Sequence, residues 1–329
     1  YPMSTFPARR PRRLRTTPQM RNLVAETEVR PSDLILPMFI VDGLDAPREI
    51  PSMPGVYQHT FDSLRRAAEE ALEAGVPCID LFGVPLDEDK DDTGSVAWDP
   101  QGILNRGISC LHEEFGDDLI VMADTCLDEF TSHGHCGVLD DKGRVLNDES
   151  VKLYQDMARS QARAGAQIVS PSGMMDGQVA AIRADLDEAG HEDVAIMAYS
   201  AKYASAFFGP FRDAVGSSLE GDRRTYQQDP RNFRESLLEA ELDIEEGADF
   251  VMVKPGLPYL DVLSAVAETS PVPVAVYQVS GEYAMVKAAA ANGWIDGEAI
   301  MLESLTAFKR AGAGQILTYF ATEAARLLK

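Results

Sequence analysis

The sequence predicts an α/β protein, a (β/α)8 TIM barrel with an extended N-terminal arm, on three observations. Eight apolar runs of strand length recur between residues 34 and 320. Amphipathic helical stretches separate them, and a glycine repeatedly closes the helix just before the next run, at Gly75, Gly165, Gly190, Gly247 and Gly312. No composition shift or Pro/Ser-rich linker divides that span. Near-continuous apolar strands belong to a parallel sheet covered by helices, and eight of them close a barrel. An open doubly wound sheet is the alternative, but it usually carries a glycine-rich phosphate turn after its first strand. The stretch Leu34-Ile-Leu-Pro-Met-Phe-Ile-Val-Asp-Gly43 offers none.

In chain order, residues 1–33 are the arm and 34–329 the barrel. The first 21 residues hold Arg9, Arg10, Arg12, Arg13, Arg15 and Arg21 and no acidic residue, on a chain of net charge −23. A surface so acidic repels phosphates, which argues against nucleic acid as a main partner. The basic arm is expected to contact the acidic surface of a sister subunit. Leu34–Val41 reads as the first strand. Phe61, Leu64, Ala68 and Leu72 mark the first amphipathic helix, and Val76–Phe82 follows as the second strand. The remaining strands are expected at 119–123, 166–169, 194–199, 248–253, 272–279 and 315–320. The acidic stretch Asp87–Asp92 reads as a solvated loop. Four cysteines (Cys78, Cys110, Cys126, Cys136) are too few and scattered for a disulfide framework. No apolar run approaches the roughly 18 residues of a membrane span, and the N-terminus lacks the apolar core of a signal peptide, so the expected location is cytoplasmic.

In such a barrel the site is built past the C-terminal strand ends. There Phe250–Val253 delivers Lys254 and stops at Pro255-Gly256; Val194–Tyr199 delivers Lys202. A lysine desolvated at a strand end falls below its ordinary value of about 10.4, and a neutral amine attacks carbonyls. Two of them point to a carbonyl-processing site. The loop after the third strand, Ala-Asp-Thr-Cys-Leu-Asp-Glu-Phe-Thr-Ser-His-Gly-His-Cys-Gly, sets Cys126, Asp128 and Cys136 beside His133 and His135, donors suited to zinc. Arg212, Arg223 and Arg224 suit a carboxylate, so the implied substrate is a small keto acid.

These segments are similar to the porphobilinogen synthase (5-aminolevulinate dehydratase) family. The matching stretches are Ile-Pro-Ser-Met-Pro-Gly (50–55), Thr-Ser-His-Gly-His-Cys-Gly (131–137), Met-Met-Asp-Gly (174–177), Tyr-Ser-Ala-Lys-Tyr-Ala-Ser (199–205), Met-Val-Lys-Pro-Gly (252–256) and Tyr-Gln-Val-Ser-Gly-Glu-Tyr-Ala-Met (277–285). The resemblance implies condensation of two 5-aminolevulinate molecules to porphobilinogen, with loss of two waters, on the way to haem and other tetrapyrroles. It implies that Lys254 forms a Schiff base with the first substrate and that Lys202 serves the second. Arg212 and Arg223 match a clamp on one substrate carboxylate, and Ser280 and Tyr319 the hydroxyl pair holding the other. It implies no organic cofactor, an allosteric magnesium bound through Glu239, and an octamer in which the arm hugs a neighbouring subunit.

The chain departs from the family in three places. Its cysteine loop is a hybrid: zinc-dependent members carry a third cysteine where Asp128 stands, and zinc-free members replace Cys126 and Cys136 by alanine and aspartate. Zinc is the expectation, with magnesium or no catalytic metal as alternatives. Gly173 and Gln178 stand where the family usually has aspartate and arginine, and the arm matches only in kind. A class I aldolase would need Lys254 but not Lys202, the arginines or the cysteine loop, and a non-catalytic acidic scaffold would need none of these.

Overall fold

The structure is a computed structural model and describes residues 6–219 and 221–328. Residues 1–5 of the arm lie outside the described residues. Ten strands form one sheet: β1 (Leu34–Val41), β2 (Arg48–Glu49), β3 (Tyr57–His59), β4 (Cys78–Val84), β5 (Ile120–Thr125), β6 (Ile168–Pro171), β7 (Ala195–Lys202), β8 (Phe250–Lys254), β9 (Val274–Gln278) and β10 (Gln315–Thr318). Eight of them, β1 and β4 to β10, pair in parallel, and β10 returns to β1 through Leu34↔Ile316 and Ile35↔Leu317. The ring is closed, as the count of eight runs predicts. The hairpin of β2 and β3 is an addition, with β3 pairing alongside the upper half of β1 at Phe39↔Gln58 and Ile40↔His59.

The expected strand positions hold within a few residues; β9 and β10 stop one and two residues short of the expected ends, whereas other strands overrun theirs. β5, β6 and β7 run on past the last apolar residue through Asp124–Thr125, Ser170–Pro171 and Ser200–Lys202. The backbone keeps its ladder there while the side chains turn polar, so hydropathy ends a strand before hydrogen bonding does. The five glycines that precede strands all have positive φ, from +81° at Gly190 to +111° at Gly165. They end helices in the left-handed conformation that a side chain would disfavour.

Two details fix the barrel around its mouth. β7 and β8 pair Ala198 with Val251 but Ala201 with Val253, so β7 carries one extra residue, a bulge at Tyr199–Ser200. That shift brings Lys202 opposite Lys254. At the other end, buried Asp33 accepts from Arg30 N at 3.0 Å and Arg30 Nη2 at 2.8 Å and pairs with Lys309 at 3.2 Å. This ties the entry of β1 to the helix Gly297–Arg310.

The described part of the arm carries a short α-helix, Pro18–Leu23, and a 3-10 turn, Pro11–Arg15, neither with a buried residue. The stretch Asp87–Asp92 is more than a solvated loop. Asp91 accepts from the backbone N–H groups of Thr93, Gly94 and Ser95, and Asp92 accepts from Ser132 Oγ at 2.6 Å. It braces the cysteine loop. No helix among the described residues is long and apolar enough to cross a membrane.

Candidate active site

The C-terminal ends of the strands open into a cavity of about 230 Å³ whose lining includes Asp124, Lys202, Arg212, Lys254, Ser280 and Tyr319. Both lysines are buried, at 5% and 6% exposure, although lysine is a residue seldom found inside. Lys254 Nζ stands over four aromatic rings, closest to Tyr277 at 4.2 Å from the centroid, with Tyr199, Phe208 and Phe211 at 5.1–5.5 Å. Burial, and then the charge of Lys202, push its ammonium down to about 7. Lys202 Nζ donates to the Ser172 carbonyl at 2.6 Å. The pair is asymmetric: one amine is bound to a carbonyl, and the other sits against ring faces.

Two buried carboxylates act on Lys254. Asp80 is fully buried in the middle of β4 and accepts from Tyr199 Oη at 3.3 Å. Burial, then the neighbouring Asp124, raise its carboxyl well above the usual range. Asp124 is raised to about 6, chiefly by burial, with Lys202 acting against the rise. The sequence reading passed over Asp80, whose signal is an aspartate inside an otherwise apolar strand. Glu129, Phe208 and Phe211 of the cavity wall are not marked by periodicity either: Glu129 sits in a turn, and Phe208 and Phe211 lie on helical segments too short to show a repeat.

The cysteine loop brings together three of its expected donors. Cys126 Sγ, Cys136 Sγ and a carboxylate oxygen of Asp128 all lie within 4.8 Å of one another, and all three residues are buried. His133 and His135 are not part of that group. His133 Nε2 lies 3.2 Å from the Asp92 carbonyl, and His135 Nδ1 lies 3.0 Å from Tyr226 Oη. Asp128 also belongs to a second group, with Asp124 and Glu129. Burial alone would raise the Asp128 carboxyl, but Arg223, at 2.8 Å, and Lys202 hold it well below the usual range.

The remaining predicted residues divide. Arg223 lines the cavity, pairs with Asp128 and donates to the Gly134 carbonyl at 2.9 Å; its Nε is buried without a partner among the described residues. Arg212 lies on the short helix Gly209–Val215 at the rim. Arg224 lines the rim as well. Ser280 Oγ accepts from Phe211 N at 3.0 Å, and Tyr319 Oη is 3.1 Å from Tyr277 Oη. Gln178 Oε1 accepts from Met175 N at 3.3 Å. Glu239 is not among the residues lining the cavity. It lies half-buried on the helix Arg234–Glu245, raised to about 7 by burial and then by Asp176, Glu235 and Glu246.

With this geometry in hand, comparison with known proteins is direct. The family model described as Delta-aminolevulinic acid dehydratase matches residues 8–327. A delta-aminolevulinic acid dehydratase of Mycobacterium tuberculosis is 64% identical over 323 residues, covering 98% of each chain. One of Streptomyces coelicolor is 62% identical over 325 residues, covering 99% of this chain and 98% of the other. A crystal structure of the Toxoplasma gondii enzyme (porphobilinogen synthase), in complex with the reaction product porphobilinogen, superposes with a TM-score of 0.95. It shares 47% identity over 99% of this chain and 92% of that one.

Proposed function

The chain belongs to the delta-aminolevulinic acid dehydratase family, and from that premise we propose how its own residues perform the reaction. The activity is that of a porphobilinogen synthase, a lyase that condenses two molecules of 5-aminolevulinate to porphobilinogen with loss of two waters in tetrapyrrole biosynthesis. The observation that carries the assignment of residues is the register of β7 and β8, which sets Lys202 and Lys254 side by side, buried, at the cavity floor.

Lys254 is the Schiff-base residue. Its depressed value leaves a large neutral fraction at neutral pH, so Nζ adds to the ketone of one substrate and water leaves as the C=N bond forms. The protonated imine withdraws electrons and acidifies the adjacent carbon. Lys202 serves the ketone of the second substrate. Ser280 and Tyr319 hold one substrate carboxylate, and Arg212 with Arg223 hold the other. Arg223 lines the cavity while its Nη2 is held by Asp128 and the Gly134 carbonyl, which fixes the guanidinium in place for that contact.

Cys126, Asp128 and Cys136 are the residues that hold zinc. Tetrahedral zinc, with bonds of roughly 2.0–2.3 Å, separates its donors by less than about 4 Å, which fits three donors already within 4.8 Å. When bound, the ion supplies Lewis-acid polarisation of a carbonyl oxygen. An allosteric magnesium is assigned to Glu239, where Asp176, Glu235 and Glu246 add negative charge, although these carboxylates are not gathered as closely as the donors of the cysteine loop. The arginine-rich arm contacts a neighbouring subunit, and the assembly is an octamer; the compartment is the cytoplasm.

The test is product formation. Purified protein given 5-aminolevulinate yields porphobilinogen, and Lys254→Ala lowers turnover by on the order of 10³-fold or more with the fold retained. A folded Lys254→Ala that keeps most of the activity contradicts the assignment.

A further inference from the structure

We propose that Tyr154 is a positioning residue for the cation site: its hydroxyl ties the two ends of the cysteine loop together, in space that Gly173 leaves open. This rests on the reading of Cys126, Asp128 and Cys136 as metal-holding residues.

Tyr154 lies on the helix Asn147–Ala164 and is fully buried. A buried phenol needs a partner, and this one has two. Its hydroxyl donates to the Cys136 carbonyl at 2.7 Å and lies 3.4 Å from Cys126 Sγ. Those cysteines stand at opposite ends of the loop, ten residues apart in the chain, so one oxygen atom touches both ends. The loop has other supports, from Asp92, Tyr226 and Ser150, but none of them reaches Cys126 Sγ. A buried group that orients a ligand from behind is a common requirement of metal sites.

The room for that hydroxyl comes from Gly173. A Cβ at 173 would sit 1.8 Å from Tyr154 Oη and 2.3 Å from its Cζ, so any side chain there displaces the ring. With no side chain at 173, the phenol fills the space. Tyr154 and Gly173 therefore act as one unit. The hydroxyl sits behind the thiols and is not a candidate to touch substrate: Tyr154 does not line the cavity.

The experiment uses the full chain loaded with cobalt(II), which reports thiolate ligation through its sulfur-to-metal charge-transfer absorption. Tyr154→Phe keeps the ring and removes the oxygen. The expected results are a cobalt affinity lowered by on the order of 10-fold, read by chelator competition, with a shifted charge-transfer band. In metal-free protein, alkylation of Cys126 and Cys136 by iodoacetamide, followed by peptide mass spectrometry, accelerates by about 10-fold. A Tyr154→Phe protein with wild-type cobalt affinity, band and alkylation rates overturns the proposal. If Tyr154→Phe does not fold, Gly173→Ala, which keeps the hydroxyl but pushes it aside, takes its place in both measurements, with the same expected and contradicting results. A wild-type protein that gives no thiolate band refutes the metal reading instead, and the alkylation rates alone then decide for or against Tyr154.

Discussion

At the scale of single residues, Lys254 shows how environment sets chemistry. Its ordinary value of 10.5 would leave almost no free amine near neutrality, whereas burial and the Lys202 charge bring it to about 7. The sign follows: below about 7 the ammonium form dominates and cannot attack a carbonyl, and above it the amine is free. The expected profile of kcat/KM against pH therefore has an acid limb centred near 7 that rises with pH, measured under steady-state conditions at constant ionic strength. A flat profile between pH 6 and 8 contradicts a lysine in this state. Both lysines were legible as strand-end residues in an apolar context. The aromatic cage around Lys254 was not, because Phe208 and Phe211 come from short helical segments remote in sequence.

At the scale of elements, the helix–glycine–strand repeat was readable because left-handed helix ends need glycine and buried strands need apolar runs. The bulge in β7 was not readable. Ser200 and Ala201 look like the end of a strand, yet without the extra residue there Lys202 would fall out of line with Lys254. The helix–strand contact at Gly83 was equally silent. A Cβ on Gly83 would lie 2.5 Å from Leu104 Cβ and 2.9 Å from its Cα, so β4 and the helix Ile103–Phe115 touch almost backbone to backbone. Gly83→Ala is expected to destabilise the protein by about 1–3 kcal/mol, seen as an earlier midpoint in urea unfolding. An unchanged midpoint means the helix moves aside freely. The acidic loop taken for a solvated one shows the converse limit, since composition does not reveal that Asp92 anchors Ser132.

At the scale of the whole molecule, charge is segregated. Six arginines sit in an exposed arm, while the chain carries 53 acidic residues against 30 basic ones. The helical segments at Pro11–Arg15 and Pro18–Leu23 bury no residue of their own, and in the proposed assembly they pack against the acidic surface of a sister subunit. A chain lacking residues 1–24 is expected to form a smaller assembly than the intact protein in light scattering, and an unchanged mass contradicts the arm's role. The closed barrel is what makes the site: it gathers β5, β7, β8 and β10 ends, spread from residue 124 to residue 319, round one cavity. Sequence order shows these contributors but not Asp80, whose charge bears on Lys254 only once the strands meet. The claim that this convergence creates a Schiff-base site is tested most directly by trapping it. Borohydride added during turnover of 5-aminolevulinate should reduce the imine and leave the substrate-derived mass on the peptide containing Lys254. A folded, active protein in which no lysine carries that mass, or only lysines outside the cavity do, would contradict the account.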